Sequence, residues 1–157
     1  MNLLAKWAFA LMLSIAPGAA FAAGHADANG LVHVKSAHDA ATTIDRLAAA
    51  VEGAGAKVFA RVDHAGGAAK IGEALRPTVM LMFGNPKLGT PLLQETQKMG
   101  LDLPLRAVAW TDDDGATFLT YRDPAVMAAA QGIAADHPTV AKMTGALGKL
   151  TAKATSN

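Results

Sequence analysis

The chain has 157 residues, with 14 basic and 13 acidic side chains, 52% hydrophobic residues and no cysteine. No disulfide framework, thiolate nucleophile or cysteine metal site is available to it. A net charge of +1 with no basic stripe argues against recruitment by nucleic acid or anionic lipid, so no nucleic-acid partner is expected.

The amino end reads as a secretory signal. Lys6 closes a short cationic start, an apolar run extends from Trp7 to Ile15, and Pro17 and Gly18 break it. Ala20-Phe21-Ala22 then supplies small side chains one and three residues before a cut. Residues 1–22 are therefore expected to leave as a signal peptide, giving a periplasmic or secreted chain that begins at Ala23. Only Lys6 is lost from the charge count, which leaves 13 basic against 13 acidic groups. The apolar run falls short of the roughly 20 residues that cross a bilayer, so no membrane span is expected after cleavage. Residues 23–30 read as a flexible segment, 31–150 as a single domain and 151–157 as a disordered tail.

Alternation in Leu31-Val32-His33-Val34-Lys35 predicts a first strand. Ser36, with Asp39 three residues on, predicts a capping-box helix start, and Ile44, Leu47, Ala48 and Val51 recur at helical spacing until Gly53 and Gly55 end it. Lys57 to Asp63 reads as a second strand with Val58, Ala60 and Val62 facing one way. A short helix with Ala68, Ile71 and Leu75 on one face should stop at Arg76, before Pro77. Thr78 to Phe83 is almost wholly apolar and predicts a central strand shielded on both faces.

Thr90 then caps a helix opening on Pro91 and ending near Gly100. Leu105 to Thr111 and Ala116 to Tyr121 form a hairpin around Asp112-Asp113-Asp114-Gly115, with the glycine where positive φ is needed. Asp123-Pro124 opens a further helix, and Val140, Met143, Leu147 and Leu150 mark the last. The order βαβαβαββαα predicts a two-layer α+β domain. Its two early crossovers imply some parallel pairing, hence a mixed β-sheet with helices packed mainly on one face.

Three blocks carry a resemblance. They are Val62-Asp63-His64 with Gly72 and Leu75-Arg76-Pro77-Thr78; Phe83-Gly84-Asn85-Pro86-Lys87-Leu88-Gly89-Thr90-Pro91; and Leu101-Asp102-Leu103-Pro104-Leu105. With Tyr121-Arg122-Asp123-Pro124 they resemble the domain of unknown function 302 family, over a span from about Leu31 to Leu150. The resemblance implies a compact two-layer α+β domain with no agreed activity. Where many members carry a histidine before a glycine-isoleucine pair, this chain has Gln131 ahead of Gly132-Ile133. A family site that relies on that imidazole would be altered here.

The candidate ligand-binding residues are His64, Asp63, Arg76, Asn85 and Lys87. Gly84 to Thr90 joins a buried strand to a helix start, where backbone N–H groups favour an anion and Lys87 adds charge. The spacing mimics a P-loop, but Thr90 stands where that motif requires lysine. Asp63-His64 ends a strand, a position that opens toward a crevice in sheets with crossover helices. There His64 could act as acid, base, metal ligand or haem ligand, though no clustered metal-ligand spacing accompanies it.

A mature terminus at Ala23-Gly24-His25 would converge an amine, two amide nitrogens and the His25 imidazole, a set suited to square-planar Cu(II) or Ni(II). Met80 and Met82 read as core filling, and Asp112 to Asp114 as a solvated hairpin tip. The leading functional reading is a non-enzymatic periplasmic binding module, taking a small ligand or an envelope protein partner in one crevice formed by His64, Arg76, Asn85 and Lys87. The alternatives are a metal- or haem-associated protein using His64 or the amino terminus, and an enzyme using His64 for proton transfer. A sheet edge could also pair two copies into a homodimer.

Overall fold

The computed structural model describes residues 26–157, so the signal segment and the Ala23-Gly24-His25 terminus lie outside the described residues. The elements follow in the order β1 Leu31–Ser36, α1 Ala40–Gly53, β2 Lys57–Asp63, α2 His64–Ala69, β3 Thr78–Gly84, α3 Pro86–Glu95, a 3-10 turn Gln97–Leu101, β4 Leu105–Thr111, β5 Thr117–Arg122, α4 Pro124–Ala130 and α5 Pro138–Thr155. The α+β class and the expected element order stand, with the 3-10 turn added.

The sheet is not mixed. Its strand order is β1-β5-β4-β3-β2, and every neighbouring pair is antiparallel. The α1 crossover does join parallel strands, but it carries the chain from one edge of the sheet to the other, so β1 and β2 never pair. Every later strand is laid beside its predecessor, antiparallel to it, until β5 closes onto β1.

Helices α1 and α5 cover one face. Val32, Val79, Leu81, Phe83, Ala107, Ala109 and Leu119 point toward Ile44, Leu47 and Val51 of α1 and Leu147, Leu150 and Ala154 of α5. Each such large aliphatic side chain contributes about 1.5–3 kcal/mol on leaving water. A second cluster gathers α3, the 3-10 turn and α4 around the first half of α5, through Leu92, Met99, Met127, Ile133, Val140 and Met143.

Local chemistry settles several boundaries differently from expectation. Asp39, not Ser36, caps α1 by accepting from the Thr42 amide at 2.7 Å. Ser36 instead shares a buried 2.7 Å hydrogen bond with the Thr43 hydroxyl. Helix α3 starts one cap-and-proline pair early: Asn85 accepts from the Lys87 amide and Pro86 opens the helix, leaving Pro91 inside it.

The segment after α2 is not helical through Arg76. Residues 70–77 are exposed, with Ile71 at 78% and Leu75 at 50%. The expected tail is also ordered, because α5 runs to Thr155 with Thr151, Ala154 and Thr155 buried. Thr151 and Thr155 satisfy their hydroxyls on carbonyls four residues back, and Arg46 donates to the carbonyls of Lys153, Ala154 and Ser156.

In β2 a register shift between Val58 and Ala60 turns the strand over. Val58 pairs with Phe83 on the helix-covered face, while Ala60 and Val62 pair with Met82 and Met80 on the opposite one, so the three do not share a face as expected. Among the described residues no helix packs over that opposite face. It presents Trp110 stacked on Phe118 at 5.4 Å, with Met80, Met82 and Val108 half-buried beside them. The expectation that β3 is shielded on both faces therefore fails.

The amino end of the domain is fastened by Gly30, whose carbonyl accepts from the Asp123 amide at the start of α4. Its φ of +73° is one that residues with a Cβ adopt at a cost, and a Cβ there would lie 2.6 Å from Val126 Cγ1. Gly30→Ala is expected to lower unfolding free energy by at least about 2 kcal/mol, from backbone strain plus the clash. Adding Val126→Ala should recover only the steric share, leaving about 1 kcal/mol, as read by urea unfolding of the single and double variants.

Candidate functional site

The structure divides the five sequence-derived ligand residues between two ends of the sheet. Asp63 is paired with Val79 at the start of β3, whereas Lys57 is paired with Gly84 at its finish. Five residues of extended strand separate those pairs, about 17 Å. Asp63, His64 and Arg76 therefore lie at one end, and Asn85 and Lys87 at the other. The expected common crevice does not form.

At the first end, Asp63 is spent as the cap of α2, accepting from the Gly66 amide at 2.8 Å. His64 is the exposed first residue of that helix. Arg76 donates to the Thr111 carbonyl at 2.9 Å and pairs with Asp113, which ties the exposed 70–77 segment to the β4–β5 hairpin. Among the described residues no three histidine or acidic side chains converge as a metal-binding group, so His64 has no ligand set around it. His25 lies outside the described residues.

The second end has a cavity. It is a half-open hollow of about 240 Å³ where β3 turns into α3, with Asn85, Pro86, Leu88, Gly89 and Thr90 on one side. Phe59, Leu93, Leu103, Pro104, Leu105 and Met143 complete the wall. The bulge in β2 is what delivers Phe59: it is the extra residue between the two registers, and a Cβ on Gly84 would stand 3.6 Å from its ring.

This geometry replaces the anion cradle expected at the helix start. Pro86 has no N–H, the Lys87 amide donates to Asn85 Oδ1, and the Leu88 and Gly89 amides donate to the Asn85 carbonyl. The first-turn donors are consumed by Asn85, so the dipole end offers no free N–H to an anion. Lys87 is exposed and does not line the cavity. What remains is an apolar hollow with Asn85 and Thr90 as its polar side chains. Sequence reasoning found the block but missed Phe59, Leu103 and Met143, which reach the hollow from β2, the segment before β4, and α5.

The open sheet face holds a further polar chain that sequence reasoning missed. Asp27 Oδ2 lies 3.4 Å from His33 Nε2, His33 Nδ1 lies 2.9 Å from Thr120 Oγ1, and Trp110 Nε1 donates to the same hydroxyl at 2.8 Å. With the Asp27 carboxylate facing Nε2, the consistent assignment puts the ring proton on Nε2 and lets Thr120 donate to Nδ1. The hydroxyl is thereby fully used, and the adjacent backbone is committed to β-ladders on both sides, so the chain fastens β1 to β5 and β4.

Backbone hydrogen bonds from Leu31 and Asn29, joined by His33, hold the Asp27 carboxyl below its ordinary 3.8. A carboxyl depressed in the folded state adds stability that is complete above its ordinary value and disappears as pH falls through the folded one. Asp27→Asn should therefore flatten the decline of stability below about pH 4 while lowering stability at neutral pH, as read from urea midpoints between pH 2 and 6. An acid limb as steep in Asp27→Asn as in the wild type would show that this carboxylate is not responsible.

Comparison with known proteins places the chain. The family model described as "Domain of unknown function DUF302" matches residues 32–151. A crystal structure of an uncharacterized conserved DUF302 protein from Bacillus stearothermophilus superposes with a TM-score of 0.65 at 20% identity, covering 80% of this chain and 95% of that one. That likeness establishes the fold. Two curated relatives are each 46% identical over 119 residues, or 74% of this chain: "Fluoride-specific ion channel FluC 1" of Brucella suis and "Fluoride-specific ion channel FluC 2" of Brucella melitensis. The match spans 47% and 44% of their respective lengths, so this chain covers less than half of either.

Proposed function

This chain belongs to the DUF302 family, and from that membership we propose that it is an exported, non-enzymatic binding module whose ligand site is the apolar hollow between β3 and α3. The supporting observation is the hollow itself. It is about 240 Å³, walled by Phe59, Leu88, Leu93, Leu103 and Met143, with Asn85 at its rim to orient a polar group. An apolar or aromatic small molecule suits it, since a charged ligand would find no free amide and no charged wall. Export follows from the amino-terminal signal pattern, which directs the domain to the periplasm or beyond.

The relatives support an accessory role in the envelope. A channel requires membrane-spanning segments, and none of the described helices here is long and apolar enough to cross a membrane. The matched stretch of each Brucella protein is read as a module accessory to the channel that its name describes. In this chain the same module is read as acting on its own or beside an envelope protein. The His64 metal reading gains no support, because among the described residues no three histidine or acidic side chains converge as a metal-binding group.

Gly100 borders the hollow, and a Cβ there meets only Leu93 Cδ2 at 3.7 Å, so a large side chain can fill the entrance without disturbing the core. The neutral fluorophore N-phenyl-1-naphthylamine is expected to bind the folded wild type at micromolar concentration. Gly100→Trp should weaken it at least about tenfold, the loss of some 1.4 kcal/mol of contact, with an unchanged thermal midpoint. Equal binding by both proteins would remove the hollow as the site.

A further inference from the structure

A second depression, of about 310 Å³, lies where β4 begins and β5 ends, and two arginines line it. Val108 and Thr120 are registered partners whose side chains share the open face. Arg106 stands two residues before the first and Arg122 two residues after the second, so alternation makes the arginines cross-strand neighbours on that same face. Their other registered partners are Met82 and Leu31, both apolar.

Two like charges placed opposite one another on a sheet repel, and among the described residues neither arginine of this pair is in an ion pair. Among the described residues the ion pairs join Asp45 to Arg61 and Asp113 to Arg76, the histidine contacts join Asp27 to His33 and Glu95 to His137, and none includes Arg106 or Arg122. Asp102 also borders the depression; its Oδ2 accepts from the Gln131 amide at 2.9 Å, and its negative charge offsets part of the repulsion between the arginines. Each guanidinium is held by one backbone carbonyl, Arg106 by that of Leu101 at 3.2 Å and Arg122 by that of Asn29 at 3.3 Å. One donor of each arginine is thus anchored from outside the pair, and both side chains line the depression.

We propose that this depression binds a small organic anion, carboxylate- or phosphate-headed, with its charge between Arg106 and Arg122 and a short apolar body against Leu31, Met80 and Val108. Guanidinium forks donate to such heads bidentately, and an anion between the two arginines offsets their mutual repulsion. The site is independent of the hollow between β3 and α3, with which it shares only Leu105.

Isothermal titration of the full chain at low ionic strength tests this with hexanoate and phenyl phosphate as probes and hexan-1-ol as the uncharged control. Hexanoate or phenyl phosphate should bind and hexan-1-ol should not, with the better probe identifying the head group. Arg106→Gln and Arg122→Gln should each weaken binding at least about tenfold, as expected for a lost charge-assisted pair, while N-phenyl-1-naphthylamine binding stays unchanged. Without anion, each variant should give a single cooperative melting transition, which confirms that it folds. The proposal is overturned if neither anion binds the wild type at millimolar concentration, or if both variants bind as tightly as the wild type.

Discussion

Everything distinctive about this domain follows from a sheet that buries only one of its faces. Helices α1 and α5 press Ile44, Leu47, Val51, Leu147 and Leu150 against β-strand side chains, and that single interface supplies the main core. The remaining helices are too short to form a second layer. They collect instead at one end, where α3, the 3-10 turn and α4 make a smaller cluster with the first half of α5. The hollow walled by Phe59, Leu103 and Met143 lies where these two cores meet. The paired arginines sit on the opposite face, which no helix covers among the described residues.

The bulge in β2 connects architecture to site. Without the extra residue, Val58 would share a face with Ala60 and Val62, and one of the two ends of this edge strand would be misplaced. With it, Val58 reaches the core, Ala60 and Val62 reach the open face, and Phe59 is left over to close the hollow beside Gly84. An irregular edge strand also discourages pairing with a second copy, which weighs against the sheet edge at β2 as a dimer contact.

Much of this was legible in the residues, and the failures have physical causes. Strand and helix order followed from hydrophobic periodicity and from glycine and proline placement, and Gly115 does take a φ of +80° at the hairpin tip. Strand partners did not follow, because a crossover helix fixes only that β1 and β2 run parallel, not how many strands lie between them. Asn85-Pro86 and Thr90-Pro91 both satisfy the same helix-start rule, and the pair directly abutting β3 prevails because Asn85 can cap at once. The alanine- and threonine-rich end reads as polar, yet Thr151 and Thr155 bond to carbonyls of their own helix and can be buried. His64 drew interest as a lone imidazole at a strand end, whereas the arginine pair carries no local motif at all and emerges only from cross-strand register.

The central claim is that the turn from β3 into α3 builds an apolar pocket rather than a phosphate cradle. Methyl-resolved NMR of the labelled protein during titration with N-phenyl-1-naphthylamine tests it most directly. The account predicts saturable shifts confined to the methyls of Leu88, Leu93, Leu103, Leu105 and Met143, with Met80 and Met82 on the open face unmoved. Shifts at Met80 and Met82 with the hollow's methyls silent would contradict it.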